Sequence, residues 1–238
     1  MGIVGQRVVV IGGTSGIGLA VAGAVARGGG VPIVASSTKE RIDEAVEALG
    51  GAAEGHRVDA GDEDSIRALF AQVGEFDHLV YTAGPYLLFK SLAEVSLAEA
   101  RDSFDVRYWG AFAAAKYATA GLRPGGSIVF TSGIISARPA ANLAAPVSAT
   151  GAVEALTRAL AVELAPIRVN VVRLGPVGRK PEEGSEHDQG ELYQQIRDKL
   201  LIKRMGTPQE AAAGYVHLLE NGFITGSVVT LDGGYILV

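Results

Sequence analysis

A run of glycines near the start of the chain has the spacing of a phosphate-binding turn. Gly12, Gly16 and Gly18 lie between a short apolar run and a segment with helical periodicity. Glycine at such positions permits a tight turn, close approach of backbone N–H groups to phosphate, and close helix-on-sheet packing. The positive end of the helix dipole favours the same anion. The sequence therefore predicts a dinucleotide site. The residues expected around the pyrophosphate are Gly12, Thr14, Ser15, Gly16, Ile17 and Gly18.

The segment after the second apolar run bears on which dinucleotide is bound. An NAD-selective site usually places an acidic side chain here for the ribose 2′-hydroxyl. This chain has Ser36 and Ser37 instead, followed by Lys39 and Arg41. Small hydroxyls and nearby cations favour a 2′-phosphate, so NADP(H) is predicted over NAD(H). The alternative is that Lys39 and Arg41 belong only to a solvated helix face.

Further cofactor contacts are expected where later strands end. Asp59 could accept a hydrogen bond from the adenine amino group, or it could simply cap the next turn. The other expected contacts are Ala60, Ala83, Gly84, Pro176 and Val177. The histidines lack the spacing of a metal site, so no metal is predicted. They are His56, His78, His187 and His217.

These residues require a scaffold of alternating strands and helices. Short apolar runs typical of buried strands alternate with helix-period segments along the whole chain. This pattern predicts the α/β class, a doubly wound parallel sheet (Rossmann fold), as a single domain over residues 1–238. Strands are predicted at Arg7–Ile11, Val31–Ala35, His56–Asp59, Asp77–Tyr81, Ser127–Thr131, Ile167–Val172 and Ser227–Leu231. Helices are predicted at Gly16–Arg27, Lys39–Leu49, Glu63–Val73, Leu97–Leu122, Pro146–Leu164 and Glu191–Leu201, with another after Pro208.

One polar stretch, Arg179–Lys203, is too long for an ordinary connection. It predicts a lid over the site, or alternatively a disordered surface loop.

Composition limits the other function classes. The chain has 238 residues, 48% of them hydrophobic, and no cysteine, which excludes disulfides and thiolate chemistry. The net charge of −5 gives no basic field for nucleic acid or an anionic membrane. No apolar run is long enough to span a bilayer. We therefore expect a cytoplasmic protein acting on a small molecule, with neither nucleic acid nor membrane as a partner.

Six motifs together resemble the classical short-chain dehydrogenase/reductase family over essentially the whole chain. They are IGGTSGIG (Ile11–Gly18), HRVDA, LVYTAG (Leu79–Gly84), GGSIVFTSG (Gly125–Gly133), APIRVNVV (Ala165–Val172) and ITGSVVTLDGG (Ile224–Gly234). The resemblance implies a nicotinamide-dependent oxidoreductase. Small side chains on the two long helices, at positions that form subunit interfaces in the family, imply a homodimer or homotetramer. Alternatively, those alanines pack only on their own sheet.

The same resemblance shows where this chain departs from the family. The family's catalytic tyrosine falls on Val147, its lysine on Gly151, its serine on Gly133 and its asparagine on Arg107. A positioned proton donor contributes about 10²- to 10⁴-fold to catalysis. Losing the acid and its support together should abolish the usual ketoreductase mechanism.

Other residues could supply replacement chemistry. Arg107, Arg138 and Arg173 are expected near strand ends and could hold an anionic substrate, unless each pairs locally, for example Arg107 with Asp102 or Asp105. Hydroxyls that might face the pocket are Tyr81, Tyr86, Tyr108, Ser132 and Thr150. Of these, Ser132 is the best hydrogen-bond donor to substrate and Tyr86 the best relocated acid, although such aromatics more often pack than catalyse.

Three functions therefore remain open. The first is an NADP-dependent oxidoreductase acting on a small carbonyl, imine or enone that needs little acid help. The second is a non-redox lyase, isomerase or cyclase. The third is a catalytically inactive, cofactor-binding subunit in a mixed oligomer with an active homologue.

Overall fold

The computed structural model describes residues 2–85, 87–178 and 194–238. Strands and helices alternate along the chain. The strands are β1 Arg7–Ile11, β2 Val31–Ser36, β3 Glu54–Arg57, β4 Phe76–Tyr81, β5 Leu122–Gly133, β6 Arg168–Leu174 and β7 Val228–Leu231. The α-helices are α1 Gly16–Arg27, α2 Lys39–Ala48, α3 Glu63–Val73, α4 Leu97–Phe104, α5 Ala111–Ala118, α6 Ala144–Glu163 and α7 Pro208–Glu220. A π-helix, Asp105–Gly110, joins α4 to α5, and a 3₁₀ turn, Ile134–Ser136, follows β5. Residues 194–199 form a further short helix.

The strands form one seven-stranded sheet in the order β3-β2-β1-β4-β5-β6-β7, and each pairing is parallel. This confirms the predicted doubly wound fold. Successive strands are added outward from β1 in one direction up to β3 and in the other direction from β4 onward, and a crevice is expected at the carboxyl ends of β1 and β4, where this order switches. The dinucleotide turn follows β1 directly, so the topology places it at that crevice.

Both faces of the sheet are buried, as the continuous apolar strands predicted. In β1, Val9 and Ile11 belong to the core beneath α3, α5 and α6, whereas Val8 and Val10 belong to the core beneath α1 and α7. Alternate residues of a strand point to opposite faces, so one short strand supports both layers. Each such side chain contributes about 1.5–3 kcal/mol when fully buried. The strand ends that carry the predicted site are therefore held rigidly.

The predicted single helix over Leu97–Leu122 is wrong. An α-helix ends at Phe104, a π-helical turn follows, and the chain enters β5 at Leu122, earlier than predicted. The buried Tyr81 hydroxyl donates to the Val106 carbonyl within the π-helical turn. A Cβ at Gly110 would overlap both the Tyr81 hydroxyl and the Ala60 carbonyl. A contact between distant segments thus shapes this turn.

The predicted lid lies mostly outside the described residues. Within its described part, residues 194–199 are helical, so the helix ends before the predicted Leu201. Leu200, directly after it, is buried, whereas Leu201 and Ile202 are exposed.

Candidate functional site

The glycine-rich turn is closely packed on its protein side and open on the other. A Cβ added to Gly12 would lie 2.8 Å from the backbone nitrogen of Ala83, and one added to Gly18 would overlap the Gly12 carbonyl. A Cβ at Gly16 would meet nothing within 4 Å. The tight contacts hold the end of β1 against the end of β4. The open position faces the space that a pyrophosphate would need.

The start of α1 suits an anion. Ser15 is the N-cap residue, but its side chain makes no capping hydrogen bond, and the first turn of α1 carries no acidic side chain. Helix-terminal N–H groups need partners from outside the helix. A phosphate at this end would satisfy them and would meet the favourable end of the helix dipole. The residues present therefore fit a dinucleotide.

Arg57, a cation on β3, lies beside the end of β2, and no local sequence pattern predicts this placement. Ser36 pairs with Arg57 in the parallel register of β2 and β3, and Arg57 Nε donates to the Ser37 carbonyl at 3.2 Å. Lys39, by contrast, is exposed and forms an ion pair with Asp43 one turn along α2. Arg57 therefore lies beside the two serines, whereas Lys39 is engaged on its own helix.

Asp59 takes the role that the sequence left as its alternative. Its Oδ1 accepts from the backbone N–H of Gly61 at 2.9 Å, so the side chain caps the turn that follows β3. Asp62, three residues further along, caps α3 by accepting a hydrogen bond from the N–H of Asp64. The carbonyl group of Ala60, the residue after Asp59, lies close to Gly110 in the π-helical turn.

Arg107, which the sequence resemblance aligns with the family's asparagine, lies in the π-helical turn. Its side chain packs against the backbone that follows β4. Its guanidinium donates to the Pro85 carbonyl. A Cβ at Gly84 would be 3.0 Å from Arg107 Nη1, so glycine there allows the guanidinium its close approach. The π-helical turn thus presents a cation at the carboxyl end of β4, next to the crevice. π-Helical turns of this kind occur frequently at functional sites.

Two of the tyrosines predicted near the pocket take part in internal contacts. Tyr81 is buried, and burial raises the pKa of its hydroxyl well above the ordinary value while that hydroxyl donates to Val106. Tyr108 packs edge-on against Trp109. Tyr86, the predicted relocated acid, lies outside the described residues.

Ser132 and Arg173 point to a buried carboxylate instead of a substrate. Ser132 Oγ donates to Glu154 Oε1 at 2.8 Å, and Ser136 Oγ donates to the same oxygen at 2.6 Å. Arg173 donates to both carboxylate oxygens, through Nε at 2.8 Å and Nη2 at 2.6 Å. Burial favours the neutral acid, but Arg173, Ser136 and Ser132 outweigh it and hold the pKa of Glu154 below its usual range. The predicted role of Ser132 as a donor to substrate is therefore not supported.

Two of the three arginines expected around one pocket are paired locally, which is the alternative that the sequence left open. Arg173 is committed to Glu154. Arg138 donates to the Tyr235 carbonyl at 2.8 Å and stacks over the Tyr235 ring. Of the three guanidiniums, Arg107 alone lies beside the backbone that follows β4.

The loop after β6 is fixed by short backbone contacts. Gly206 N donates to the Pro176 carbonyl at 3.0 Å, and Gly178 N donates to the Gly206 carbonyl at 2.8 Å. Pro176 and Val177 line a cavity of about 190 Å³ together with Leu200, which is buried. These two residues lie at the same edge of the sheet as the glycine-rich turn.

The residues that the resemblance aligns with the family's tyrosine and lysine lie on α6, and we call this stretch of the helix, together with Gly133, the wall. Val147 and Gly151 lie one turn apart on α6, and the end of β5 approaches this helix at Gly133. A Cβ at Gly133 would lie 3.7 Å from the Thr150 methyl group. Valine and glycine carry no proton to donate. The wall therefore lacks the hydroxyl and the ammonium group that ketone reduction in the family uses.

Comparison with known proteins agrees with this architecture. The family model described as enoyl-(acyl carrier protein) reductase matches residues 11–236. A short-chain dehydrogenase/reductase of Stachybotrys chlorohalonatus is 36% identical over 98% of both chains. The chain belongs to the short-chain dehydrogenase/reductase family, a family of oxidoreductases.

Two solved structures are close to it in shape. The MalC reductase/Diels-Alderase of Malbranchea aurantiaca superposes with a TM-score of 0.92 at 28% identity, covering 99% of this chain and 98% of that one. A small-chain dehydrogenase in complex with NADPH gives a TM-score of 0.82 at 32% identity, covering 98% and 99%. Within the described residues, no helix is both long and apolar enough to cross a membrane.

Proposed function

We propose that the protein is an NADP(H)-dependent reductase for electron-poor acceptors that take a hydride without a proton from the protein. The observation that carries this proposal is the pairing of a dinucleotide cradle with a wall that has no acid. The tight packing at Gly12 and Gly18 and the open position at Gly16 suit a pyrophosphate. Val147 and Gly151, which the sequence resemblance aligns with the family's tyrosine and lysine, have no proton to donate.

NADP(H) is preferred over NAD(H) in this proposal. No acidic side chain stands at Ser36 or Ser37, and Arg57 lies beside them. A guanidinium matches the geometry and charge of a phosphate, whereas a ribose hydroxyl would gain little from it. The NADPH-bound relative supports the same choice.

The missing acid defines the acceptor. Bound NADPH would supply a hydride to the acceptor carbon and leave as NADP⁺. An iminium ion then becomes a neutral amine, and no proton is needed for charge balance. An activated enone becomes an enolate, which Arg107 could stabilise by its positive charge until water protonates it. A simple ketone would give a far more basic alkoxide and would need the missing proton donor.

Two substrates of matched shape test this proposal. N-methyldihydroisoquinolinium is a permanently charged bicyclic iminium, and α-tetralone is a bicyclic ketone of similar size. We expect NADPH oxidation with the iminium and a rate at least about 100-fold lower with the ketone, because the ketone alone requires an acid. Comparable rates would reveal a proton donor elsewhere, and no reduction of either compound would contradict a reductase.

A non-redox cyclisation is the second candidate. It is favoured by the similarity to the MalC reductase/Diels-Alderase. A cycloaddition forms two carbon–carbon bonds with no hydride and no proton, so the acid-free wall suits it equally. Conversion of a tethered diene and dienophile without loss of reduced nicotinamide would support this candidate.

A further inference from the structure

The cavity of about 190 Å³ lies between the carboxyl end of β7 and the first turn of α7. In the sheet, β7 is four strands away from β1, which at the usual spacing of neighbouring strands is roughly 19 Å. The cavity is therefore separate from the glycine-rich turn that follows β1. It shares Pro176 and Val177 with the expected cofactor contacts.

The cavity has an apolar closed end. Leu200 and Ala211 are almost completely buried, so they mark this end, whereas the half-exposed Ile202 marks the mouth. The walls come from a strand, a helix and a loop held by backbone hydrogen bonds, so the space is formed before any ligand arrives. The apolar residues that line it are Pro176, Val177, Leu200, Ile202, Ala211 and Leu231.

The mouth of the cavity also carries a polar group that can accept a hydrogen bond. Arg204 and Glu210 line the cavity, are both about half-exposed, and form an ion pair with each other. Arg204 donates to Glu210 Oε2 at 2.8 Å and to Oε1 at 2.6 Å, and the N–H of Thr207 also donates to Oε2. Among the residues that the structure describes, Oε1 accepts this one hydrogen bond, so it has a lone pair for a further donor.

Volume and lining together define the ligand. An apolar cavity of about 150 Å³ is known to take up benzene, so this one is large enough for a single aromatic ring with a short substituent. We propose that the cavity is a second ligand site, for a neutral monocyclic aromatic compound that carries a hydroxyl group. The ring packs on Leu200 and Ala211, and the hydroxyl donates to Glu210 Oε1. The proposal goes beyond the reductase activity, because this ligand needs no electron-poor carbon.

Titration calorimetry with p-cresol, with NADPH present to occupy the cofactor site, tests the proposal. We expect a Kd of about 1 mM or tighter, and at least about threefold weaker binding of 4-methylanisole, which has no O–H to donate. Ala211→Leu should fill the closed end and weaken p-cresol binding at least about tenfold. Ala213→Leu, at an exposed position of the same helix, is the matched control and should leave p-cresol binding unchanged.

A second pair of variants keeps the test independent of folding. Ile202→Ala removes a contact at the exposed mouth and should weaken p-cresol binding about threefold. Leu201→Ala, which is equally exposed but outside the cavity lining, should not. The melting temperature and NADPH affinity report whether Ala211→Leu is folded, and Ile202→Ala decides if it is not.

Three results would count against the site. No saturable binding of p-cresol to the parent protein, or unchanged binding in both Ala211→Leu and Ile202→Ala, would overturn it. Equal affinities for p-cresol and 4-methylanisole would overturn the hydrogen bond assigned to Glu210. Because p-cresol is not reduced, each of these results is independent of whether the iminium is reduced.

Discussion

The carboxylate of Glu154 and the guanidinium of Arg173 form a buried ion pair, with Oε2 and Nη2 2.6 Å apart. This pair joins α6 to the end of β6. Its carboxylate also accepts hydrogen bonds from Ser132, at the end of β5, and from Ser136, in the 3₁₀ turn that follows. A guanidinium and a serine that the sequence assigns to substrate are thereby used to hold three elements of the site together.

Breaking this pair from one side should be costly. Arg173→Met leaves a buried carboxylate without its main partner, and we expect a loss of about 3 kcal/mol in the free energy of unfolding, measured with urea. The double variant Glu154→Met/Arg173→Met should recover much of that loss. Arg67→Met, which removes a partner of the exposed Asp64, should cost less than about 1 kcal/mol. Additive losses in the double variant would show that the two side chains are not coupled.

The open side of the glycine-rich turn gives a test of the cofactor site. Asparagine tolerates the positive φ of 51° at Gly16, but its side chain would occupy the space expected for phosphate. We expect Gly16→Asn to weaken NADPH binding at least about tenfold with little change in melting temperature. Gly12→Ala should instead destabilise the fold, by about 1–3 kcal/mol, because its Cβ meets the Ala83 nitrogen. Normal NADPH affinity in Gly16→Asn would place the cofactor elsewhere.

Arg57 should determine the preference for NADPH. Arg57→Gln removes the cation beside Ser37, and we expect NADPH affinity to fall roughly tenfold while NADH affinity stays the same. Fluorescence titration of the reduced nicotinamide measures both. Arg158→Gln, at an exposed position of α6, is the control. Equal losses for NADPH and NADH would mean that Arg57 supports the loop and not the 2′-phosphate.

Arg107 should separate the two acceptor types. Enone reduction develops negative charge on oxygen, which a guanidinium stabilises, whereas iminium reduction leaves a neutral amine. We expect Arg107→Gln to lower kcat for an activated enone about 100-fold and to change kcat for the iminium less than about threefold. Glutamine keeps a polar side chain but removes the charge, and the exposed Arg101→Gln provides the control. Equal losses for both acceptors would assign Arg107 a purely structural role.

His78 should make the fold sensitive to acid. Its ring lies between Ser127 Oγ at 2.8 Å and Gln6 Oε1 at 2.9 Å, and burial lowers its pKa to about 4. In the unfolded chain this histidine takes up its proton near pH 6.5, whereas in the folded protein it does so only near pH 4. The contribution of neutral His78 to the free energy of unfolding is therefore complete above pH 6.5 and is lost as the pH falls toward 4. The loss should reach up to about 3 kcal/mol. His78→Gln should flatten this part of the unfolding profile, and an unchanged slope would contradict the assignment.

The elements that the sequence predicts best are those defined by local signals. β1, α1 and α3 have the predicted bounds, because an apolar run, a glycine-rich turn and the Asp62 cap each act within a few residues. The fold class follows from their alternation. The match of Val147 and Gly151 to the family's catalytic positions rests on motif spacing alone and stays a prediction.

The π-helical turn and the Glu154 network could not be predicted from local patterns. The first depends on a hydrogen bond between Tyr81 and Val106, which come from separate elements. The second depends on a glutamate whose helix position looks like any other polar residue in the sequence. Arg57 was also missed, because its role arises from the register of β3 on β2 and not from a motif.

Transfer of deuterium tests the central claim most directly. NADPH deuterated at the transferring carbon is mixed with the protein and N-methyldihydroisoquinolinium, and the amine product is analysed by mass spectrometry and NMR. We predict one deuterium at the former iminium carbon, equimolar loss of reduced nicotinamide and no solvent isotope effect, because no proton from the protein takes part. Product without deuterium, or no consumption of NADPH, would contradict an acid-independent reductase.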